Sequence, residues 1–258
     1  KPDFDDSQWE TVTVPHDWAI AGPFDENIDA QVTTVVEDGE KKPAMRTGRT
    51  GALPHIGVGW YRRKIDIPES WKGDNISVEF DGAMSHAKVY MNGQFAGEWP
   101  YGYASFSIDV TPFVKFGEEN VLAVRLENLP ESSRWYPGAG LYREVRLVRK
   151  PPVHIVYNGV SITTPDIAEG KGTVVVNTTV TNTSNKKSTR KLDTLIISVN
   201  NYTTINEPDF FDLAGQANQA FTIEPGEIKT ITQTFTIKNP KLWSPKTPNL
   251  YFVSSNID

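Results

Sequence analysis

Apolar and polar residues alternate over many short stretches of this chain, and no long helical period interrupts them. In the first half, the alternation and the β-branched content predict strands over residues 60–67, 76–80, 87–91, 105–110 and 121–126. The dipeptide Asn92-Gly93 stands between two apolar stretches and predicts a two-residue hairpin turn. Residues 111–116 predict a short turn or helix. Short strands at regular spacing indicate an antiparallel sandwich.

The second half has the same character with fewer aromatic residues. Its predicted strands cover residues 153–163, 172–182, 194–199, 220–223, 228–237 and 250–253. Val174, Val176, Thr178 and Val180 fall on one face of the second of these strands. The pattern predicts an immunoglobulin-like sandwich without the disulfide of antibody domains, because the chain has no cysteine.

Residues 21–58 form a long polar stretch with few strand signals beyond 32–36. A connection of this length is uncommon in a compact domain unless it is functional or disordered. We therefore expect a long loop there.

Charge and tryptophan are unevenly distributed along the chain. Residues 1–150 carry 17 Lys and Arg against 23 Asp and Glu, whereas residues 151–258 carry nine of each. Six of the seven Trp precede residue 151, and Pro151-Pro152 follows at once. This break predicts a domain boundary near residue 150, with one domain over 1–150 and a second over 151–258.

Composition excludes several classes of protein. The absence of cysteine excludes disulfides and thiolate metal sites, and no run of 18 apolar residues could span a membrane. The net charge of −6 argues against a nucleic-acid partner. The four His are scattered without ligand spacing, so we expect neither a metal nor a cofactor. The chain begins at Lys1 without Met, which is compatible with a removed upstream segment, and we favour a periplasmic or secreted location.

One stretch, residues 133–143, combines three kinds of chemistry. Arg134 places a planar cation beside the amphipathic rings of Trp135 and Tyr136. Residues 137–140 supply a tight turn, and a strand is predicted over residues 141–149. Rings cover the apolar faces of sugars and a guanidinium reaches hydroxyls or a carboxylate, so the stretch suits sugar recognition. The alternative is that the two rings plug the end of a sandwich.

Five motifs occur in a fixed order along the first domain. They are Pro15-His16-Asp17-Trp18, Gly59-Trp60-Tyr61-Arg62-Arg63, Asp81-Gly82-Ala83, Val89-Tyr90-Met91-Asn92-Gly93 and the stretch 133–143. Together they resemble the N-terminal sugar-binding domain of glycoside hydrolase family 2, and the first motif resembles its β-galactosidase branch most. The resemblance implies an all-β protein with a jelly-roll (galactose-binding-like) sandwich followed by an immunoglobulin-like sandwich.

The motifs Leu242-Trp243-Ser244-Pro245 and Pro248-Asn249-Leu250-Tyr251 resemble the end of the family's second domain. In the family a further strand and a (β/α)₈ barrel follow. We therefore expect a second domain truncated at its C-terminal end. An unpaired edge there predicts dimerisation, strand pairing or disorder over residues 250–258.

Family 2 enzymes are retaining glycosidases, which need two carboxyl groups about 5–5.5 Å apart. The family carries them in its barrel, and this chain shows no alternating strand–helix pattern. Asn206-Glu207-Pro208 resembles an acid/base motif of barrel glycosidases, but it lies between predicted sandwich strands. His16 and Asp17 need not cooperate, because adjacent residues of an extended segment point to opposite faces; a loop anchored by hydrogen bonds is favoured.

The resemblance implies a non-catalytic N-terminal fragment of a β-galactosidase-like enzyme. It would help shape the sugar pocket and orient a catalytic barrel in the same parent chain. The candidate substrate-binding residues are Asp17, Trp18, Arg134, Trp135 and Tyr136. The expected partners are a carbohydrate substrate, with a β-galactoside favoured, that barrel, and a second copy in a homo-oligomer. The alternative is a free-standing carbohydrate-binding or adhesive sandwich module.

Overall fold

The computed structural model describes residues 3–21, 25, 27, 30–47, 56–129, 135–199 and 211–258. The chain divides into two compact units, Lys1–Arg149 and Lys150–Asp258. Each is all-β, as the sequence predicts, and each is described here by itself.

The described part of the first unit contains three sheets. A separate hairpin pairs β1 with β2, a four-stranded sheet has the order β3-β8-β5-β6, and a three-stranded sheet has the order β7-β4-β9. The strands are β1 (Ala30–Glu37), β2 (Glu40–Thr47), β3 (Gly57–Ile67), β4 (Asn75–Phe80), β5 (Ala87–Met91), β6 (Gln94–Trp99), β7 (Phe106–Asp109), β8 (Glu118–Asn128) and β9 (Val145–Lys150). Two short 3₁₀ helices cover Glu69–Trp71 and Thr111–Phe113.

The two larger sheets of this unit pack face to face around one core. Inward-facing residues alternate along each strand, so that β4 contributes Ile76, Val78 and Phe80 and β8 contributes Leu122, Val124 and Leu126. The rings of Phe80 and Phe106 stack with centroids 4.6 Å apart. This arrangement is the sandwich that the alternation predicts.

Turn chemistry explains both hairpins of the first unit. Asn92 and Gly93 have φ of 53° and 80°, the left-handed pair of a type I′ turn, which confirms the prediction between β5 and β6. Asp38 and Gly39 have φ of 52° and 79° and close β1 onto β2. The expectation of one long loop over residues 21–58 was therefore wrong for 30–47, where the Asp-Gly turn allows a hairpin.

The strand expected over residues 141–149 begins later, at Val145. Leu141 nevertheless lies in the core, and Val145 and Leu147 pack against it, while Glu144 and Arg146 are exposed as the alternation predicts. Residues before Val145 leave the ladder because their backbone pairs elsewhere, as described below.

Strand registers bring four connections to one end of the first sandwich. Gly57 at the start of β3 pairs with Asn128 at the end of β8, and Ala87 at the start of β5 pairs with Trp99 at the end of β6. Since β5 also lies beside β8, these strand ends are neighbours. The connection before β3 and the connections β4–β5, β6–β7 and β8–β9 all emerge there. We call this the loop end.

The described residues of the second unit form a sandwich of two three-stranded sheets, ordered β10-β11-β14 and β13-β12-β15. The strands are β10 (Val153–Ala168), β11 (Lys171–Asn182), β12 (Ser188–Val199), β13 (Phe211–Ile223), β14 (Ile228–Lys238) and β15 (Leu250–Ile257). Its buried apolar residues form two clusters, one around Val180 and Ile223 and the other around Val176 and Phe235. Thr178, Thr194 and Gln233 are buried polar residues of these strands.

Of the three alternatives expected for residues 250–258, disorder is contradicted, because Leu250–Ile257 form the strand β15. Dimerisation and pairing with a strand of a second copy stay predictions. Residues of β15 pair antiparallel with β12 from Leu250 opposite Val199 to Ile257 opposite Leu192. Tyr251, Val253 and Ile257 pack against the clusters, which explains why this segment is ordered as a strand.

Candidate functional site

At the loop end, residues 139–141 lie between two remote segments and bond to both. On one side His16 N donates to Leu141 O at 2.8 Å and Trp18 N donates to Ala139 O at 2.9 Å. On the other side Met84 and Gly140 exchange backbone hydrogen bonds of 2.9 and 3.1 Å. The Pro-His-Asp-Trp motif, the stretch 133–143 and the β4–β5 connection therefore form one short three-stranded assembly.

Gly140 is the residue that permits this close approach. Its φ is +142°, and an added Cβ would lie 2.4 Å from His16 O and 2.5 Å from Tyr61 Oη. Only glycine fits both the backbone angle and the space.

His16 and Asp17 bond to different partners, as expected for adjacent residues in an extended segment. His16 Nδ1 and Tyr61 Oη share a hydrogen bond of 2.7 Å. The Asp17 carboxylate accepts from Ala19 N at 2.9 Å and from Tyr136 Oη at 2.6 Å. The two side chains do not form an acid–base pair. Both anchor the segment through hydrogen bonds, which is the interpretation that the sequence analysis favoured.

Two tyrosines beside this segment, Tyr61 and Tyr136, are held in the neutral form. Burial raises the pKa of Tyr61 to about 12. Burial and the hydrogen bond to Asp17 also raise the pKa of Tyr136 well above its ordinary range, because ionisation would place two negative charges side by side. The contact between Asp17 and Tyr136 therefore persists at neutral pH with Tyr136 as the donor.

Trp18 turns towards the core of the first sandwich. It packs against the buried cluster, its ring centroid lies 6.3 Å from that of Tyr61, and a Cβ on Gly59 would meet its ring at 2.6 Å. Gly59 in β3 thus makes room for Trp18. These contacts are structural, and a sugar contact for Trp18 stays a prediction.

Trp135 points outward and joins two tyrosines from the β6–β7 connection. Its side chain is 59% exposed, and its Nε1 donates to Tyr103 Oη at 2.9 Å. Tyr103 and Tyr101 are 41% and 58% exposed, with ring centroids 5.6 Å apart in an edge-to-face arrangement. We call Tyr101, Tyr103 and Trp135 the aromatic patch. The exposure of Trp135 disfavours the reading that this ring plugs the sandwich.

Tyr142 and Arg143 lie beside the aromatic patch. Tyr142 Oη donates to Gly102 O at 2.6 Å, which fixes the connection that carries Tyr101 and Tyr103. Burial raises the pKa of Tyr142, and the two patch tyrosines add to this effect while Arg143 opposes it. The Arg143 guanidinium lies 5.4 Å from the centre of the Tyr142 ring.

Two carboxylates lie near each other at the same end, but they do not form a glycosidase pair. Arg146 donates to both Asp81 and Glu144, and its hydrogen bonds to Asp81 lower the pKa of that carboxyl. A general acid needs a raised pKa, so this surface ion-pair cluster does not have the required chemistry.

Two sequence candidates fall outside the described residues, namely Arg134 and the motif Asn206-Glu207-Pro208. Among the residues that are described, no three His, Cys, Asp or Glu side chains are grouped to hold a metal ion. No helix in the described part of the chain has the length and apolarity to cross a bilayer.

Family models match both units. Residues 3–151 match the sugar binding domain of glycosyl hydrolases family 2, and residues 153–258 match a second model of glycosyl hydrolases family 2. The chain belongs to glycosyl hydrolase family 2.

Relatives of this family 2 chain carry two different activities in their names. The β-galactosidase BoGH2A of Bacteroides ovatus is 34% identical over the whole chain, which covers 27% of that protein. A putative β-glucuronidase of Formosa agariphila is 30% identical over the whole chain, which covers 22% of that protein. The chain therefore spans about a quarter of the length of these relatives.

Solved family 2 structures share the fold. A glycosyl hydrolase family 2 member from Bacteroides cellulosilyticus superposes with a TM-score of 0.80 at 30% identity, covering 99% of this chain and 30% of that one. A β-glucuronidase from Bacteroides uniformis gives 0.77 at 27% identity, covering 99% and 27%. The jelly-roll and immunoglobulin-like sandwiches expected from the motifs are those of family 2.

Sequence reasoning predicted Trp135 as a sugar contact, which stays a prediction, but did not single out Tyr101 and Tyr103, which the structure places beside it. The signal was available in Trp99-Pro100-Tyr101-Gly102-Tyr103, an aromatic cluster around glycine and proline between two predicted strands. Exposed rings in a loop are a stronger indication of binding than rings in a strand, because strand aromatics usually enter the core.

Proposed function

We propose that this family 2 chain is the non-catalytic front part of a retaining β-glycosidase of the β-galactosidase type. In this proposal the chain shapes one wall of the sugar pocket and orients a catalytic barrel that supplies both carboxyl groups. The observation that carries the proposal is the loop end, where an anchored inner group, Asp17 with Tyr136, lies next to the outward-facing Trp135.

Chemistry supports this division of labour. A retaining mechanism requires a nucleophile and an acid/base about 5–5.5 Å apart, with the acid raised in pKa. Asp17 is bound by two donors, and Asp81 is bound by Arg146 with a lowered pKa. Both groups are therefore suited to fixing structure. Trp135, with an exposed ring and an oriented N–H, is suited to contacting a sugar.

A β-galactoside is the favoured substrate. Support comes from the Pro15-His16-Asp17-Trp18 motif and from the similarity to the Bacteroides ovatus β-galactosidase. The similarity to β-glucuronidases makes a β-glucuronide the competing substrate. Assays on the two nitrophenyl glycosides discriminate between them directly.

The test compares the 258-residue chain with the longer protein that the proposal expects its gene to encode. We expect the longer protein to hydrolyse nitrophenyl β-galactoside faster than nitrophenyl β-glucuronide, and the chain to hydrolyse neither. Turnover by the chain alone would refute the non-catalytic role. Failure of the longer protein to hydrolyse any β-glycoside would refute the glycosidase assignment, and saturable sugar binding would then favour the free-standing module.

Substitutions in the same longer protein test whether this chain forms part of the sugar pocket. Trp135→Ala should lower kcat/KM for an oligosaccharide of the preferred sugar by about tenfold, the loss of one good aromatic contact. Trp243→Ala is the matched control, because Trp243 is 61% exposed in the other unit. Equal effects of the two substitutions would contradict a pocket role for Trp135.

A further inference from the structure

The aromatic patch has a geometry that the inner group lacks. Asp17 and Tyr136 already bond to each other, and Asp17 also accepts from Ala19 N. Tyr101 and Trp135, in contrast, expose more than half of their surface. The patch thus offers ring faces to a ligand, while the inner group holds the backbone that presents one of them.

The rings of the patch are oriented before any ligand binds. The hydrogen bond from Trp135 Nε1 to Tyr103 Oη joins the β8–β9 connection to the β6–β7 connection, and the edge-to-face contact fixes Tyr101 against Tyr103. Tyr142 Oη holds the same connection through Gly102 O. Fewer rotatable groups must be ordered on binding, so a preorganised surface of this kind binds more tightly.

Arg143 adds a cationic donor beside the rings. The nearby carboxylates of Asp81 and Glu144 are engaged by Arg146. The Arg143 guanidinium lies over the Tyr142 ring and makes a long hydrogen bond, 3.5 Å, to the Asp81 carbonyl. Arg143 is exposed in spite of these contacts, so its guanidinium has donors able to bond to hydroxyls or a carboxylate. The aromatic rings can cover the apolar C–H face of a pyranose, and the guanidinium can bond to the hydroxyls at its edge.

We infer that the aromatic patch binds pyranose units of an oligosaccharide beyond the unit that is cleaved. This inference rests on the proposed function and deepens it, because it adds Tyr101 and Tyr103 to the sugar site and gives the substrate more than one sugar unit. All three rings belong to one unit of the chain, so this surface is complete without a catalytic barrel.

The test is calorimetric titration of the 258-residue chain with β-1,4-galactotetraose, with a chondroitin tetrasaccharide and with galactose. We expect saturable binding of at least one tetrasaccharide, and binding of galactose about tenfold weaker because it covers one ring at most. Binding of the neutral probe alone assigns a neutral glycan. Binding of the acidic probe that is lost in Arg143→Gln assigns an acidic glycan. Saturation by neither tetrasaccharide overturns the inference.

Variants locate the binding on the patch. Trp135→Ala and Tyr101→Ala should each weaken tetrasaccharide binding by about tenfold. Tyr103→Phe keeps the ring but removes the oxygen that receives Trp135 Nε1–H, so its effect should be smaller. Trp243→Ala should have no effect, and an equal loss in that variant would overturn the inference. Thermal melts of each variant identify any loss caused by unfolding.

The two proposals fail separately. Hydrolysis of simple nitrophenyl glycosides by the longer protein tests the proposed function and needs only the cleaved unit. Titration of the chain tests the patch and needs no hydrolysis. Hydrolysis without tetrasaccharide binding would overturn the inference alone, whereas binding without any hydrolysis would overturn the proposed function alone.

Discussion

Gly140→Ala should destabilise the first sandwich more than any exposed substitution. The new Cβ would lie 2.4 Å from His16 O and 2.5 Å from Tyr61 Oη, both shorter than van der Waals contact. His16 belongs to the segment whose backbone bonds to residues 139–141, so it cannot move away without disturbing those hydrogen bonds. Tyr61 Oη shares a hydrogen bond with His16 Nδ1, which a displaced Tyr61 would lose.

Two effects contribute to the expected loss. A side chain at φ of +142° carries backbone strain, which costs about 1–3 kcal/mol. Overpacking a close contact costs about 1–3 kcal/mol more. The sum, about 2–6 kcal/mol, is a large share of the roughly 5–15 kcal/mol that stabilises a typical domain.

Gly57→Ala separates the two effects. Gly57 has φ of +128°, and an added Cβ would meet nothing within 4 Å. This control carries the strain but not the clash, so Gly140→Ala should exceed it by about 1–3 kcal/mol.

Urea unfolding followed by tryptophan fluorescence is the assay, because six of the seven Trp lie in the first unit and report on it. Hydrogen exchange at the His16 and Trp18 amides gives a local readout, since both donate to the 139–141 backbone. Equal losses in Gly140→Ala and Gly57→Ala, with unchanged exchange at these amides, would refute the close approach.

Three further predictions concern hydrogen bonds and burial. Tyr136→Phe removes the donor to Asp17 and should cost about 1–3 kcal/mol; an unchanged urea midpoint would contradict the contact. Gln233 is 4% exposed, and its amide finds no hydrogen-bond partner among the described residues; Gln233→Leu should therefore stabilise the second unit by about 1–3 kcal/mol. Gln219→Leu, at an exposed position, is the control and should not stabilise the unit. A lower melting temperature for Gln233→Leu would show that the Gln233 amide has a hydrogen-bond partner. Burial raises the pKa of Tyr61 above its ordinary 10.0 to about 12, so the folded state holds this proton more tightly; the stabilisation is complete below pH 10 and is lost as pH rises through 12. Urea midpoints between these pH values should fall less steeply in Tyr61→Phe, and parallel curves would contradict the burial of Tyr61.

The elements that could be predicted were those fixed by local signals. The alternation predicted a strand over residues 87–91, and β5 covers Ala87–Met91. The Asn92-Gly93 turn has the left-handed φ angles that its sequence predicts. Such signals act over a few residues, because a turn type depends on its own dihedral angles and a strand face on its own alternation.

The elements that were missed depend on remote partners or on turns that were overlooked. β2 has few β-branched residues and contains Pro43, so its content gave no strand signal, and only the Asp38-Gly39 turn marks it. The late start of β9 depends on Leu141 accepting from His16, 125 positions earlier. Alternation carries no information about such a partner.

The candidate site also contains parts that local sequence signals predict and parts that depend on remote contacts. The stretch 133–143 was singled out because its residue types lie together in the sequence, and Trp135 was predicted from them as a sugar contact. Tyr101 and Tyr103 reach Trp135 only through the fold, because register places the β6–β7 and β8–β9 connections at one end of the sandwich. Residue chemistry could therefore indicate a sugar site, but the number of rings in it required the three-dimensional arrangement.

The loop end separates stability from recognition in a way that mutations can expose. Gly140, Asp17 and Tyr136 are bound within the fold, so their substitution should lower the unfolding free energy and affect binding only through the displaced backbone. Trp135 and Tyr101 are exposed, so their substitution should weaken binding at almost unchanged stability. If both groups changed stability and binding in proportion, the exposed rings would be part of the sandwich packing, and the sugar-binding assignment of the patch would lose its structural basis.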